Sequence, residues 1–473
     1  MRRLPIVWGV VTGLAATVVA ANSESEITRA YRKDADRIIK SVLSGCDAEK
    51  KLWQLCDDVG NRISGSAALD KACQWAVQTL RSDGQENVHL EPARIPQWVR
   101  GKESVTLLAP RPMPMAMLGL GFSVGTPPEG ITAPVIVVND HDELTRIGSA
   151  AKGKIVLFNH AMPAYSPEKG TGYGATVQYR YNGARWAAEQ GAVGCLVRSV
   201  TARSLRSPHT GGMGYQDAAV KIPSAAISIE DAELLARFQK RGVATTVRMK
   251  MDAVDHGMVD GNNVVAELRG STNPDEIVVI SGHLDSWDVG QGAQDDGGGC
   301  VMAMETLNVL RKLGLRPRRT IRVVLWTAEE VGLYGAKAYA RDHADELARH
   351  VAAIEADSGS FQPVNYSLDC ADQKKKERAA EQMRDVLALC SPVAPLTLKV
   401  GFAAADVGQM KPGGVVVMGH NSDSSHYFDY HHTHADTVDK IDPDELKRNV
   451  AVMAVVAYTI ADLPQRLGES PTP

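Results

Sequence analysis

The chain has 473 residues, which is enough for two or three domains. Hydrophobic residues make up 44% and charged residues 23%, so the composition excludes both a disordered chain and a small disulfide scaffold. The formal net charge is −4, and no long run of lysine or arginine occurs. This balance excludes a nucleic-acid-binding surface, because such a surface needs clustered positive charge.

The first residues have the pattern of an export signal. Arg2 and Arg3 precede an apolar run that continues to about Ala20, where small residues follow. This order is typical of a secretory signal peptide. We expect residues 1–21 to be removed, which leaves a secreted or periplasmic chain without stable membrane insertion. The alternative is a retained membrane anchor, for which a run of about 17 residues is short.

The seven cysteines are scattered and form no Cys-x-x-Cys pair. The sequence therefore predicts neither a disulfide framework nor a thiolate zinc site. One bridge among Cys46, Cys56 and Cys73 remains open in an oxidising compartment. The simpler interpretation is that the cysteines are small apolar core residues.

The first stretch of the mature chain is predicted to be helical. Apolar residues between Ile27 and Val42 recur near the helical period, and a second helix is predicted at Ala67–Arg81. A strand follows at Val88–Leu90. We assign residues 24–104 to the first part of a discontinuous catalytic domain.

Residues 105–245 differ in composition from the segments on either side, because glycine and proline are frequent and the β-like runs are short. One helix is predicted from about Asn182 to Gln190. This segment is predicted to be a compact, β-rich inserted domain. Its predicted strands are Pro134–Val138, Lys154–Phe158, Val193–Val197 and Ala225–Ile227.

Residues 246–465 alternate between strands and helices, and residues 466–473 form a tail. The alternation predicts an α/β fold: a mostly parallel mixed sheet with helices on both faces. The predicted strands are Glu276–Ser281, Thr320–Trp326, His350–Glu355 and Val415–Met418. The predicted helices are Gly297–Leu313, Leu333–Arg341, Glu377–Leu389 and Pro443–Asp462.

Polar residues follow all four of these strands. Ligands of open α/β sheets bind beyond the carboxyl ends of the strands. Imidazole and carboxylate groups gathered there, without thiolates, indicate a divalent metal site. The four segments are His283-Leu284-Asp285, Thr327-Ala328-Glu329-Glu330, Glu355-Ala356-Asp357 and His431-His432-Thr433-His434-Ala435-Asp436.

The segment between the first strand and its helix begins Asp295-Asp296 and continues with three glycines. A carboxylate at Asp295 can offer one oxygen to each of two ions about 3.5–4 Å apart, a known device for hydrolysis. Asp296 equally fits a helix cap.

Adjacent residues point in different directions, so one of Glu329 and Glu330 can bind metal while the other accepts a proton from water. Asp285 is a candidate acceptor for the second ring nitrogen of His283, since metal-bound histidines usually donate that N–H to a carboxylate. Spacing alone does not choose a ligand among His431, His432 and His434.

Together these residues resemble the M28 family of zinc aminopeptidases and carboxypeptidases. The resemblance covers the whole mature chain, and the insert is similar to a protease-associated domain. Within this family, the chain most resembles one group of carboxypeptidases. The segments that support this are Asn61–Ser66 and Tyr-x-x-Tyr-His-His-Thr-His. The motifs that carry it are His283-x-Asp285, Asp295-Asp296, Glu329-Glu330, Asp357 and His432-Thr433-x-x-Asp436-Thr437.

The resemblance implies two zinc ions per chain, with Asp295 bridging them. His283 and Asp357 would complete the first zinc site, and Glu330 and His432 the second. Glu329 would be the general base. The outer residues Asp285, Asp296 and Asp436 would support the ligands.

The resemblance also implies a cis peptide at Asp295-Asp296 and is compatible with a homodimer. As an expectation from the mechanism, Tyr427 is a candidate oxyanion donor, although a single tyrosine in a loop is as readily a packed residue.

The function predicted from these residues is hydrolysis of dipeptides or short peptides by a secreted exopeptidase. Three alternatives stay open: an aminopeptidase on longer peptides, a glutaminyl-cyclase-like transferase with one zinc, and a non-catalytic binding module with structural metals.

Overall fold

The computed structural model describes residues 24–470. The predicted signal peptide lies outside the described residues, as does the end of the predicted tail. Within the part that is described, no helix is long and apolar enough to cross a membrane. The seven cysteines all lie in this part, all are free, and all but Cys46 are buried, in agreement with their interpretation as core residues.

The helices and strands fall into three consecutive groups along the chain. The first group is α1 (Glu26–Ser44), α2 (Ala48–Trp53), α3 (Ala67–Ser82) and β1 (Glu86–Val99). The second is β2 (Glu103–Ala109), β3 (Met113–Met115), β4 (Met117–Gly119), β5 (Ile131–Val138), α4 (His141–Ile147), β6 (Ile155–Phe158), α5 (Tyr173–Glu189), β7 (Gly194–Arg198), β8 (Ser224–Ile227), α6 (Ile229–Lys240) and β9 (Thr246–Met251). The third is β10 (Val254–Leu268), β11 (Asn273–His283), α7 (Gly298–Lys312), β12 (Arg319–Trp326), α8 (Tyr334–Asp342), β13 (His350–Glu355), β14 (Pro363–Asp369), α9 (Gln373–Ala388), β15 (Thr397–Val400), β16 (Val416–Ser422), α10 (Tyr427–Tyr430) and α11 (Pro443–Asp462).

The first and third groups build one eight-stranded sheet in the order β1-β10-β12-β11-β13-β16-β14-β15. Its centre, β12-β11-β13-β16, is parallel. The pairs β1/β10, β10/β12 and β14/β16 are antiparallel. The pair β14/β15 is also parallel, so four of the seven strand pairs are parallel and the sheet is mixed and mostly parallel, as the sequence predicts.

The central strands are apolar on both sides because both faces of the sheet are covered. On β12, Ile321, Val323 and Leu325 enter the larger core, which α7 and α11 also line. Val324 and Trp326 enter the core on the opposite face, beneath α8. This alternation explains the near-continuous apolar runs that predicted a covered sheet.

The second group forms a second eight-stranded sheet in the order β3-β2-β9-β5-β6-β7-β8-β4. Its strands span residues 103–251, between β1 and β10 of the first sheet. The polypeptide thus leaves the first sheet at one end of the β1/β10 ribbon and returns at the same end.

Several elements are longer than the sequence predicts, and the two largest differences are at β1 and α5. Strand β1 extends well beyond Val88–Leu90, because it pairs with β10 from Glu86 to Val99 at the edge of the sheet, where prolines are tolerated. Helix α5 begins at Tyr173 rather than near Asn182. Its first half is rich in β-branched and aromatic residues, which are weak helix formers, and packing of this half into the second sheet's core overrides that tendency.

Candidate metal centre and active site

The parallel centre of the first sheet brings the predicted ligands to one edge. His283 is the last residue of β11, Glu330 follows β12 and Asp357 follows β13. Parallel strands end at the same edge, so side chains far apart in sequence meet there. Asp295 approaches from the turn before α7, in which the Asp295-Asp296 peptide is cis, as the resemblance implies.

The first group of side chains surrounds the ring of His283, which is 1% exposed. Its Nε2 lies 3.1 Å from Asp295 Oδ1 and 3.5 Å from Asp357 Oδ1. Its Nδ1 donates to the backbone carbonyl of Asp285 at 3.0 Å, which leaves Nε2 as the nitrogen that faces the carboxylates.

The second group of side chains surrounds the ring of His432. Its Nε2 lies 3.3 Å from Asp295 Oδ2 and 3.0 Å from Glu330 Oε2. His431 stacks on His432 with 3.5 Å between the ring centroids, but its Nε2 is 3.8 Å from Asp295 Oδ2. His434 is exposed. Of the three histidines, His432 therefore makes the closest contacts with two carboxylates.

Asp295 belongs to both groups, and its two oxygens point to different histidines. Two ligands of one tetrahedral zinc ion, each about 2.0–2.2 Å from it, are separated by about 3.3–3.5 Å. The observed separations of 3.0–3.5 Å are close to this spacing. In addition, Glu330 Oε1 is buried without a hydrogen-bond partner among residues 24–470. The donor set therefore fits two cations that share Asp295.

Three further carboxylates hold the backbone around these groups. Asp285 accepts from the N–H groups of Glu329 and Glu330, so it fixes that pair, whereas the sequence predicts it as an acceptor for the ring of His283. Asp296 accepts from the N–H of His283 and from that of Gly299, which combines support of a ligand with capping of α7.

Asp436 accepts from three successive N–H groups, those of Ala293, Gln294 and Asp295. Burial raises the pKa of this carboxyl to about 7. Asp436 therefore fixes the turn that carries Asp295 against β11.

The pKa values of the ionisable side chains in this cluster are shifted far from their usual ranges. Burial opposes ionisation of Asp295, yet hydrogen bonds with His283 and His432 hold its pKa well below the usual range. Burial also opposes the charged form of His432, but the negative charges of Glu330 and Asp295 outweigh it and raise the pKa to about 9. Burial raises the pKa of Glu329 well above the usual range. The carboxylates thus favour positive charge at His283 and His432, whose pKa values are raised, whereas burial lowers the pKa of His431 well below the usual range.

A cavity of about 940 Å³ opens onto both groups. Glu329 and Tyr427 line it together with the predicted ligands Asp295, Glu330 and Asp357. Tyr427 is buried, and its ring lies edge-on to that of Phe428. Among the described residues its hydroxyl makes no hydrogen bond, so its position allows either a packed residue or a donor to a ligand.

Residues from the second group of elements also surround the cavity, which the sequence did not predict. Arg180 of α5 lines it and is 6% exposed. Thr210 donates its N–H to the carbonyl of His432 and accepts from His432 Nδ1 at 3.2 Å. His432 has a φ of 61°, a left-handed conformation that is uncommon outside glycine, and this reciprocal pair holds it there.

Arg62, within the Asn61–Ser66 motif, supports the loop beneath the site. Its guanidinium is fully buried and donates to the backbone carbonyls of Leu284, Gln291 and Gly292, among others. These carbonyls belong to the segment that connects His283 to Asp295.

Replacing Arg62 with methionine is expected to lower the free energy of unfolding by about 3–5 kcal/mol, because several buried carbonyls lose their donor together. Urea unfolding measures this. Arg94→Met is the control, since Arg94 and its partner Asp260 are largely exposed and such pairs contribute little. Equal stability of Arg62→Met and wild type would contradict this role.

Comparison with known proteins agrees with this arrangement. The profile of peptidase family M28 matches residues 263–457, which hold every predicted ligand. Carboxypeptidase Q from Mus musculus is 46% identical over 421 residues, covering 89% of this chain and 87% of that protein. Carboxypeptidase Q from Homo sapiens is 44% identical, with 89% and 86% covered. The chain belongs to peptidase family M28 and is a metallopeptidase.

Solved structures agree with this assignment. The peptidase M28 precursor from Shewanella amazonensis is 35% identical with a TM-score of 0.88, covering 94% of this chain and 99% of that chain. The zinc aminopeptidase from Bacillus subtilis shares the fold at 20% identity with a TM-score of 0.63, covering 89% of this chain and 96% of that one. Within family M28 the chain is thus related to carboxypeptidase Q and shares its fold with aminopeptidases.

Proposed function

We propose that this metallopeptidase is a secreted exopeptidase that uses two zinc ions to hydrolyse dipeptides or short peptides. The observation that carries the proposal is the position of Asp295, whose two oxygens lie 3.1 Å and 3.3 Å from the histidines of two different groups. A single carboxylate shared in this way suits a pair of ions, each with its own imidazole and carboxylate.

In this proposal the chain holds one zinc with His283, Asp295 and Asp357, and the other with Asp295, Glu330 and His432. When bound, the ions lower the pKa of a water molecule and polarise the peptide carbonyl. The carboxylate of Glu329 accepts the proton of the attacking water and returns it to the amide nitrogen that leaves. Tyr427 lines the same cavity and can donate its hydroxyl to the carbonyl oxygen as that oxygen becomes negative.

Arg180 favours the carboxypeptidase or dipeptidase form of the proposal over the aminopeptidase form. Its Nη2 donates to Tyr173 Oη at 2.8 Å, and its Nε has no partner in the part of the chain that the structure describes. It also forms no ion pair with any carboxylate there. A buried guanidinium without a counter-ion is costly, and the carboxylate at the end of a peptide would supply one. We infer that Arg180 binds the free carboxyl group of the substrate.

Replacing Arg180 with methionine is expected to raise KM for free-acid dipeptides by about 30- to 150-fold, because a charge-assisted pair contributes about 2–3 kcal/mol. The substitution also removes the hydrogen bond from Arg180 to Tyr173, but acid and amide substrates share that loss, so their comparison isolates the contact with the carboxylate. Dipeptide amides, which lack the carboxylate, should show little change. Steady-state kinetics on matched acid and amide substrates measures both effects.

Arg185→Met is the matched control, since Arg185 lies on the same helix and pairs with Glu189 away from the cavity. If wild type hydrolyses N-blocked substrates far faster than C-blocked ones, the aminopeptidase alternative is excluded. The reverse pattern would replace our proposal with the aminopeptidase. Wild type that hydrolyses no peptide while holding two zinc ions would favour the binding module.

The remaining expectations belong to the same proposal. Residues 105–245, which contain most of the second sheet, would be the protease-associated domain, inserted into a catalytic domain of residues 24–104 and 246–465. Cleavage after residue 21 would release the mature chain from the cell or into the periplasm. A homodimer is expected by analogy, and sedimentation of the purified protein tests it.

A further inference from the structure

The carboxylate of Glu330 receives a hydrogen bond from an indole. Trp287 Nε1 donates to Glu330 Oε2 at 2.6 Å. The same oxygen lies 3.0 Å from His432 Nε2. The other oxygen, Oε1, is buried and has no partner among the described residues. The orientation of this carboxylate therefore depends on two neighbours, an imidazole and an indole.

Trp287 is itself held firmly. It is 2% exposed and packs with Leu118 and Val289 in a small apolar cluster. Its ring centroid is 5.5 Å from that of His432. On the other side it meets Gly121, where an added Cβ would lie 2.1 Å from the indole. The ring cannot rotate without displacing Gly121, which lies two residues after β4 of the second sheet. The direction of the indole N–H is therefore fixed.

The indole N–H has chemical properties that suit this contact. It is a donor only, and it does not titrate at ordinary pH. It can therefore orient an anion without competing for a cation. His432 differs, because its Nε2 must be unprotonated to bind a cation and then cannot donate to Glu330. Trp287 would then be the one described side chain that donates a hydrogen bond to the Glu330 carboxylate.

We propose that Trp287 is a positioning residue of the metal centre: it holds Glu330 Oε2 beside His432 Nε2, where the second cation binds. The inference rests on the proposed function, since it assumes that cation. Trp287 lies four residues after His283. The short segment from His283 to Trp287 thus supplies a ligand of the first group and orients a ligand of the second. Partners outside the ligands commonly tune metal affinity by 10- to 100-fold.

Trp287→Phe tests the proposal, because it removes the N–H and keeps most of the ring. We expect the more weakly held of the two zinc ions to bind about 10- to 100-fold less tightly, while the other ion keeps its affinity. The measurement is a zinc titration of the full-length purified enzyme against a fluorescent chelator, with the zinc content confirmed by elemental analysis.

Trp326→Phe is the matched control. Trp326 is fully buried, and its Nε1 has no partner in the described part of the chain, so the same substitution removes no hydrogen bond. Both zinc ions should stay at wild-type affinity in this variant. The zinc-free forms of the two variants should melt at similar temperatures.

Wild-type zinc affinity in Trp287→Phe would overturn the proposal, as would an equal loss in Trp326→Phe. Zinc-free Trp287→Phe that melts far below zinc-free Trp326→Phe would assign Trp287 a packing role instead, and would also overturn it. Wild type that holds fewer than two zinc ions would overturn the proposed function itself, which separates the two failures.

Discussion

Glu329→Gln is expected to reduce kcat by about 10²- to 10⁴-fold while the zinc content stays that of wild type, because glutamine cannot accept the proton of the attacking water. Glu329 lines the cavity, and its backbone N–H is held by Asp285. Glutamine has nearly the same shape, so the backbone contact should persist. Steady-state kinetics on a dipeptide, with elemental analysis of the same sample, measures both quantities.

Glu129→Gln provides the control, since Glu129 is exposed in a turn of the second group of elements and should leave kcat unchanged. An active Glu329→Gln enzyme with both ions bound would assign the proton transfer to another group. Loss of zinc from Glu329→Gln would instead mean that Glu329 is a ligand, and the roles of Glu329 and Glu330 would have to be exchanged.

Asp295→Ala is expected to lose both zinc ions and to reduce hydrolysis by about 10³-fold or more. The reason is geometric: Oδ1 lies beside His283 and Oδ2 beside His432, so removing this one carboxylate takes a ligand away from each cation. Elemental analysis after dialysis against a weak chelator gives the number of ions retained.

His432→Gln is the informative comparison, because His432 belongs to one group only. We expect this variant to keep one ion, bound by His283, Asp295 and Asp357. Retention of one ion by Asp295→Ala, or loss of both by His432→Gln, would contradict a shared carboxylate. It would favour a site with a single ion, as in the cyclase alternative.

Three of the predicted ligands could be identified from the sequence because each lies at or just after the end of an apolar strand. His283 ends β11, Glu330 and Asp357 follow β12 and β13, and these parallel strands end at one edge. Local periodicity is enough to predict such strands, and the chemistry of the residues after them is enough to predict a metal.

The sequence predicts the structure less well where contacts between residues far apart in the chain determine it. Helix α5 begins at Tyr173 and packs one face against the second sheet, so Arg180 lies on the buried face of a helix rather than in a loop. Asp285 was expected to accept from the His283 ring, but the carboxylate turns to the backbone of the Glu329-Glu330 pair. Spacing of two residues cannot distinguish these directions.

The sequence by itself determined the fold class, the family resemblance and the set of residues from which a metal centre could be built. Only the tertiary structure decided that both oxygens of Asp295 face histidines, that Trp287 donates to Glu330, and that Arg180 lies in the same cavity. The physical reason is that Arg180 and His432 are 252 residues apart yet their side chains approach to 3.4 Å. Contacts of that kind depend on how two sheets pack, and no local pattern of residues records them.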